Sequence, residues 1–89
     1  MAWTIEFTEA ALRQVQHLDK SVSRRIWKFL NERIAPMDNP RSIGEALHGQ
    51  LLGEFWKYHV GDYRLIAKIE DDRLVILVIR IGHRREVYR

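Results

Sequence analysis

Along the first third of the chain apolar positions recur with a helical period, and along the last third they alternate. Trp3, Ile5 and Phe7 fall on one side of an extended segment and Thr4 and Glu6 on the other, so residues 3–7 read as a short strand. Thr8 is placed to cap a following helix, with Glu9 in its first turn, where a carboxylate meets the positive end of the helix dipole. Ala11, Leu12, Val15 and Leu18 then repeat at helical spacing until Asp19-Lys20-Ser21 breaks the pattern and offers new caps. In the longer helix that follows, Val22, Ile26, Phe29, Leu30 and Ile34 face inward, and Arg24, Arg25, Lys28 and Glu32 mostly face outward. Pro36 ends it, because the residue before a proline is pushed out of the helical region. Two helices joined by a short break predict a helical hairpin.

Residues 36–53 form the longest irregular stretch, holding both prolines and three of the five glycines. Ser42 to Leu47 is expected to form a helical turn. From Glu54 onward the period is two. Glu54 to Val60 reads as a strand, Gly61-Asp62 as a two-residue turn, and Tyr63 to Glu70 as the return strand. Glycine in the first loop position suits a type II′ hairpin. Asp71-Asp72 makes the next turn, and the β-branched and Leu run from Leu74 to Ile81 reads as a central strand buried on both faces. The order β-α-α-β-β-β predicts an α+β fold: a small, mostly antiparallel sheet covered on one face by the helical hairpin. Its length of 89 residues suits one domain over residues 1–89.

A two-residue loop at Gly61-Asp62 fixes the hairpin register. Val60 then faces Tyr63, His59 faces Arg64, Tyr58 faces Leu65, Lys57 faces Ile66, Trp56 faces Ala67 and Phe55 faces Lys68. Because side chains alternate across a sheet, Trp56, Tyr58, Val60, Tyr63, Leu65, Ala67 and Ile69 share an apolar face that belongs under the helices. Phe55, Lys57, His59, Arg64, Ile66 and Lys68 share the other. The last strand returns antiparallel, so its end, carrying His83, Arg84, Arg85 and Tyr88, emerges beside Arg64. A two-residue turn at Asp71-Asp72 would put Arg80 on the apolar face. A loop longer by one residue moves it to the cationic face; that, or a position at the sheet end, is preferred because an unpaired buried guanidinium is costly.

Charge sharpens this picture. The net charge is +3, and residues 73–89 carry Arg73, Arg80, Arg84, Arg85 and Arg89 against Glu86 alone. A basic tail converging on a basic sheet face points to a polyanion or an acidic partner. The chain has no cysteine, which excludes a disulfide scaffold, a thiolate zinc site and a cysteine nucleophile. No Asp/Glu/His grouping has metal-ligand spacing, and there is no glycine-rich phosphate loop, so neither a metal nor another cofactor is expected. No apolar run approaches the ~20 residues of a membrane span, and the first residues lack a signal-peptide pattern. A cytoplasmic protein without membrane contact is expected.

Lys57, His59, Arg64, His83, Arg84, Arg85 and Tyr88 form a set that fits metal-free attack on a phosphodiester. Arginines neutralise charge building on phosphorus, a histidine or a lysine of lowered pKa moves protons, and in RNA the 2′-hydroxyl is a built-in nucleophile. Phe55 offers a stacking ring, and Lys68, Arg80 and Arg85 offer further RNA contacts. Trp3, Trp27 and Trp56 are expected in the core.

The run Leu47-His48-Gly49, then Trp56-Lys57-Tyr58-His59-Val60-Gly61-Asp62-Tyr63-Arg64-Leu65-Ile66, resembles the RelE/ParE superfamily of bacterial and archaeal toxins. So does Ile81-Gly82-His83-Arg84-Arg85-Glu86-Val87-Tyr88, and the likeness is to the RelE branch. The resemblance implies a toxin of a type II toxin–antitoxin pair that enters the ribosomal A site and cuts mRNA by 2′-hydroxyl attack. The products would be a 2′,3′-cyclic phosphate and a 5′-hydroxyl. It assigns catalysis to Lys57, Arg64, Arg84 and Tyr88: Arg64 on the phosphate, Arg84 as general acid, and Tyr88 supporting the attacking hydroxyl and stacking on a base. A second family lysine falls on Phe55, so the general base is open among Lys57, His59 and His83. An acidic, RelB-like antitoxin is the implied partner, beside the ribosome and mRNA. The competing readings are a ParE-like inhibitor of DNA gyrase on the same fold, and a catalytically weakened toxin acting as a binding module.

Overall fold

In a computed structural model, residues 2–47 and 55–86 are described. The first strand, β1 (Thr4–Phe7), leads into helix α1 (Glu9–Gln16), capped by the Thr8 side chain, which accepts from the Ala11 N–H at 3.1 Å. Helix α2 (Lys20–Lys28) continues into a π-helical turn over Phe29–Ile34, closed by the Ala35 N–H donating to the Leu30 carbonyl. Together they fill the span expected for one long helix. Pro36 follows its end.

The helical turn expected over Ser42–Leu47 is not there. A short 3₁₀ turn sits earlier, at Pro40–Ser42, with the Asn39 side chain accepting from the Arg41 N–H. Gly44 then takes a φ of 82°, and Glu45–Ala46 form a two-residue strand, β2. Strands β3 (Trp56–Val60), β4 (Tyr63–Glu70) and β5 (Val75–His83) complete a five-stranded sheet of order β1-β5-β4-β3-β2. Only β1 runs parallel to its neighbour, β5; the other pairs are antiparallel. The architecture is the α+β sheet with a helical hairpin on one face.

The β3–β4 register is the expected one, from Val60↔Tyr63 to Trp56↔Ala67. Gly61 has a φ of 59°, as the first position of a type II′ turn requires. The next turn is longer than expected, residues 71–74, with Leu74 at positive φ. That length alone would return Arg80 to the apolar face. A β-bulge prevents this: Ala67 pairs with Val78 but Ile66 pairs with Arg80, so the register steps past Ile79 and Arg80 lies on the cationic face.

The core lies between the helices and the sheet. Ala11, Val15, Ile26, Leu30 and Ile34 pack on Tyr58, Val60, Leu65, Ala67, Ile69, Ile76, Val78 and Ile81. Tyr58 is fully buried, and its hydroxyl donates to the Pro40 carbonyl at 2.6 Å, tying the irregular segment to the sheet. Burial pushes this phenol well above its ordinary pKa. Trp3 is buried and Trp56 half-buried, its indole donating to the Ile43 carbonyl. Trp27 departs from expectation: it is 43% exposed on α2, its ring 5.1 Å from that of Phe7.

Candidate active site

The opposite face of the sheet is ordered by register into rows running across the strands. One row reads Glu45, Lys57, Ile66, Arg80 across β2, β3, β4 and β5. The next reads His59, Arg64, Gly82. Beyond it the Arg84 N–H donates to the Asp62 carbonyl at 2.8 Å, continuing the β4–β5 pairing past the strand end. Arg84 itself is exposed in the turn that follows β5, with its backbone beside the hairpin turn. Partner residues in such a sheet are ~5 Å apart, so Lys57, His59 and Arg64 occupy one compact region. Gly82, directly across from Arg64, contributes no side chain between Arg80 and Arg84.

Arg64 is held in place. Its Nη1 donates to the Gly61 carbonyl at 3.0 Å and to the Tyr63 carbonyl at 3.1 Å, folding the guanidinium onto the hairpin turn. Those bonds leave Nε and Nη2 out of use, and that pair forms a two-pronged contact with phosphate oxygens. Lys57, largely covered, has its Nζ 3.7 Å from Glu45 Oε2. Glu45 escaped the sequence reading, because a two-residue strand has no periodicity to detect. The one local sign was Gly44, placed where positive φ turns the chain toward β3.

His59 is exposed at the outer edge of β3, where β2 no longer covers the strand. It lines a groove of about 380 Å³ with Arg25, Lys28, Glu32 and Arg33 from the helical side and Gly61 from the turn. Although the ring reaches solvent, partial desolvation lowers its pKa below the ordinary histidine value. The charges of Arg64 and then Lys57 add to this, and Glu45 opposes them.

The other candidates divide. Ile66 is buried with Leu47, and Phe55 packs partly buried against this second small cluster together with Ile79. Phe55 is thus in part a packing ring. Lys68 is exposed on the cationic face, four residues along β4 from Arg64, about 13 Å away. Arg85 is exposed in the turn after β5, its N–H bonded to His83 Nδ1 at 3.3 Å. His83 itself pairs with Tyr63, on the helix side of the sheet, its ring edge-on to Tyr63 at 5.7 Å. It lines a separate cavity of about 660 Å³ with Arg13, His17 and Glu86, whose rim Arg80 also reaches. The two histidines are therefore on opposite faces. Tyr88 lies outside the described residues. Among those residues no group of three or more His, Asp or Glu is placed to hold a metal ion.

A family described as the ParE toxin of type II toxin–antitoxin systems matches residues 5–88. The toxin RelG of Mycobacterium tuberculosis is 28% identical over 89 residues, covering 100% of this chain and 99% of its own. The mRNA interferase toxin RelE of Escherichia coli K12 is 31% identical over 90 residues, covering 99% of this chain and 92% of its own. Among solved structures, the toxin–antitoxin complex RelBE2 of M. tuberculosis superposes with a TM-score of 0.84 at 23% identity, covering 97% of this chain and 95% of that one. Isolated E. coli RelE superposes at 0.72 with 25% identity, covering 92% and 84%. The chain belongs to the RelE/ParE superfamily of type II toxins, on its RelE-like side.

Proposed function

We propose that this RelE-like toxin is a ribosome-dependent endoribonuclease that cuts mRNA in the A site and so stops translation. The observation that carries the reading is the sharing of one sheet face by Lys57, His59 and Arg64 in adjacent register positions, with glycine opposite Arg64. A phosphodiester laid there meets Lys57 and Arg64, the latter already oriented by two backbone carbonyls. Such preorganised donors stabilise the charge that accumulates on a pentavalent phosphate. In the roles the resemblance implies, Arg64 holds the phosphate, Arg84 protonates the leaving oxygen and Tyr88 orients the attacking 2′-hydroxyl. No step of this scheme calls on a metal. The E. coli relative named an mRNA interferase supports the substrate class.

The toxins of the M. tuberculosis and Pyrococcus horikoshii structures are in complex with antitoxins. We infer the same kind of partner here, an acidic RelB-like segment complementary to the cationic face, in the cytoplasm where ribosomes are found. The test is purified toxin added to mRNA-programmed ribosomes, beside a gyrase supercoiling assay. The expected result is A-site cleavage leaving a 2′,3′-cyclic phosphate, with free RNA cut far more slowly. A site made mostly of cations relies on the ribosome to align the hydroxyl with the phosphate. Inhibited supercoiling with intact mRNA would replace this reading with the gyrase one.

A further inference from the structure

Resting on the nuclease reading, we propose that His59 is the group that removes the 2′-hydroxyl proton. Three observations point to it. First, His59 is directly across from Arg64, the phosphate-binding candidate, and on the face of Lys57. Second, His83 lies on the other side of the sheet with its Nδ1 accepting from the Arg85 N–H, so it cannot serve the same phosphate. Third, the position where the family carries a second lysine holds Phe55, packed against Leu47 and Ile66, while Lys57 is already partnered by Glu45. A base must reach the face uncharged. His59 is exposed there, and partial desolvation favours its neutral form, with Arg64 from β4 and then Lys57 from β3 adding to this and Glu45 from β2 opposing it. Arg25, Lys28, Glu32 and Arg33 line the adjoining groove from the helical side.

In the step itself, a neutral ring nitrogen of His59 takes the proton of the 2′-hydroxyl. The 2′-oxygen forms a bond to phosphorus, and the bond from phosphorus to the 5′-oxygen breaks. The 5′-oxygen leaves with a proton from the acid that the resemblance puts at Arg84. His59 then releases its proton to water, and Arg84 regains one. Atoms and charge balance without a further reactant.

The experiment is the pH profile of single-turnover cleavage on programmed ribosomes. For the wild type the rate should rise with pH to a plateau, its inflection below the ordinary histidine value of ~6.5. His59→Gln should slow cleavage by roughly 10²–10⁴ and abolish the inflection, with ribosome binding retained. Glu45→Gln removes the charge that opposes the shift, so it should move the inflection to lower pH. A structural role for His59 would leave the profile's shape intact. Unchanged rate and profile in His59→Gln, or an inflection lost in His83→Gln and kept in His59→Gln, would overturn the assignment while the nuclease reading stands. Absence of cleavage by the wild type would remove both.

Discussion

Arg64 is the side chain on which the candidate site depends most, because its geometry is set before any substrate arrives. The two carbonyls of the hairpin turn anchor Nη1, and the remaining fork can make two parallel bonds that an ammonium cannot reproduce. An interaction made mainly with the pentavalent phosphate lowers kcat more than it raises KM. Losing one preorganised donor of this type typically costs ~10²–10³ in rate. Arg64→Ala should therefore abolish growth arrest and slow single-turnover mRNA cleavage by about 10²–10³ with ribosome affinity nearly unchanged. Arg64→Lys should recover part of the rate. Cleavage at the wild-type rate in Arg64→Ala would move the phosphate site elsewhere on the face. Residue type and register place Arg64 on the cationic face, and the family resemblance implies its role on the phosphate. The anchoring carbonyls were not legible, because a side-chain bond to the turn depends on a rotamer that no sequence pattern encodes.

At the scale of elements, the readable parts were those where one local rule had one outcome. The Gly61-Asp62 loop left a single register, and the observed pairing of β3 with β4 follows it residue by residue. The β4–β5 connection was less determinate. Its four-residue turn leaves Arg80 on the apolar face, as a two-residue turn would, and the bulge at Ile79 moves it to the cationic face. Within the irregular stretch after Pro36, a strand two residues long takes the place of the helical turn expected over Ser42–Leu47, because so short a strand has no periodicity to reveal it. Trp27 was misplaced because size argues for burial, and the helical repeat of α2 does not show that its ring rests on Phe7 at the rim. The two turn glycines should answer differently to the same change. A Cβ at Gly44 would run into the Lys57 carbonyl, 2.6 Å from the Trp56 indole nitrogen and 2.9 Å from Tyr58, at a φ of 82°. A Cβ at Gly61 would first meet the Arg25 guanidinium, at 3.0 Å, the far end of a flexible side chain that can swing into solvent. Gly61→Ala should thus cost mainly the left-handed backbone penalty, roughly 1–2 kcal/mol. Gly44→Ala adds overpacking of about 1–3 kcal/mol and pushes on the strand that carries Lys57. Urea denaturation should rank Gly44→Ala clearly below Gly61→Ala. Equal midpoints would mean that β2 does not brace β3.

Over the whole molecule, the two ends of the sheet have opposite electrostatic tasks. At the β4–β5 turn, Arg41 forks onto Asp71 with both bonds at 2.9 Å, and Arg73 bridges Glu70 and Glu6. These contacts join the 3₁₀ turn, β1 and the β4–β5 turn, and so hold the fold. At the β3–β4 turn, the Arg64 and Arg25 guanidinium groups both lie against Gly61, beside the proposed phosphate site. The consequence is two separable pH dependences. The hydrogen bonds and charge of Arg41 hold the Asp71 carboxyl below its ordinary value, and Arg73 does the same for Glu70. A carboxyl whose pKa is depressed in the folded state contributes stability that is fully present above its unfolded value, ~4. That contribution is lost as pH falls through the lower folded value, when the folded protein must finally take up the proton. Thermal stability should therefore fall on acidification below about pH 4. Asp71→Asn removes one of the titrating groups and should flatten that fall, and adding Glu70→Gln should flatten it further. His59 lies at the other end of the sheet from Asp71, so Asp71→Asn should leave the inflection of the cleavage profile where it is. Melting curves from pH 6 to 2 for both variants, set beside the cleavage profile, test the separation. An acid limb as steep in the double variant as in the wild type would show that other carboxylates hold the fold together in acid.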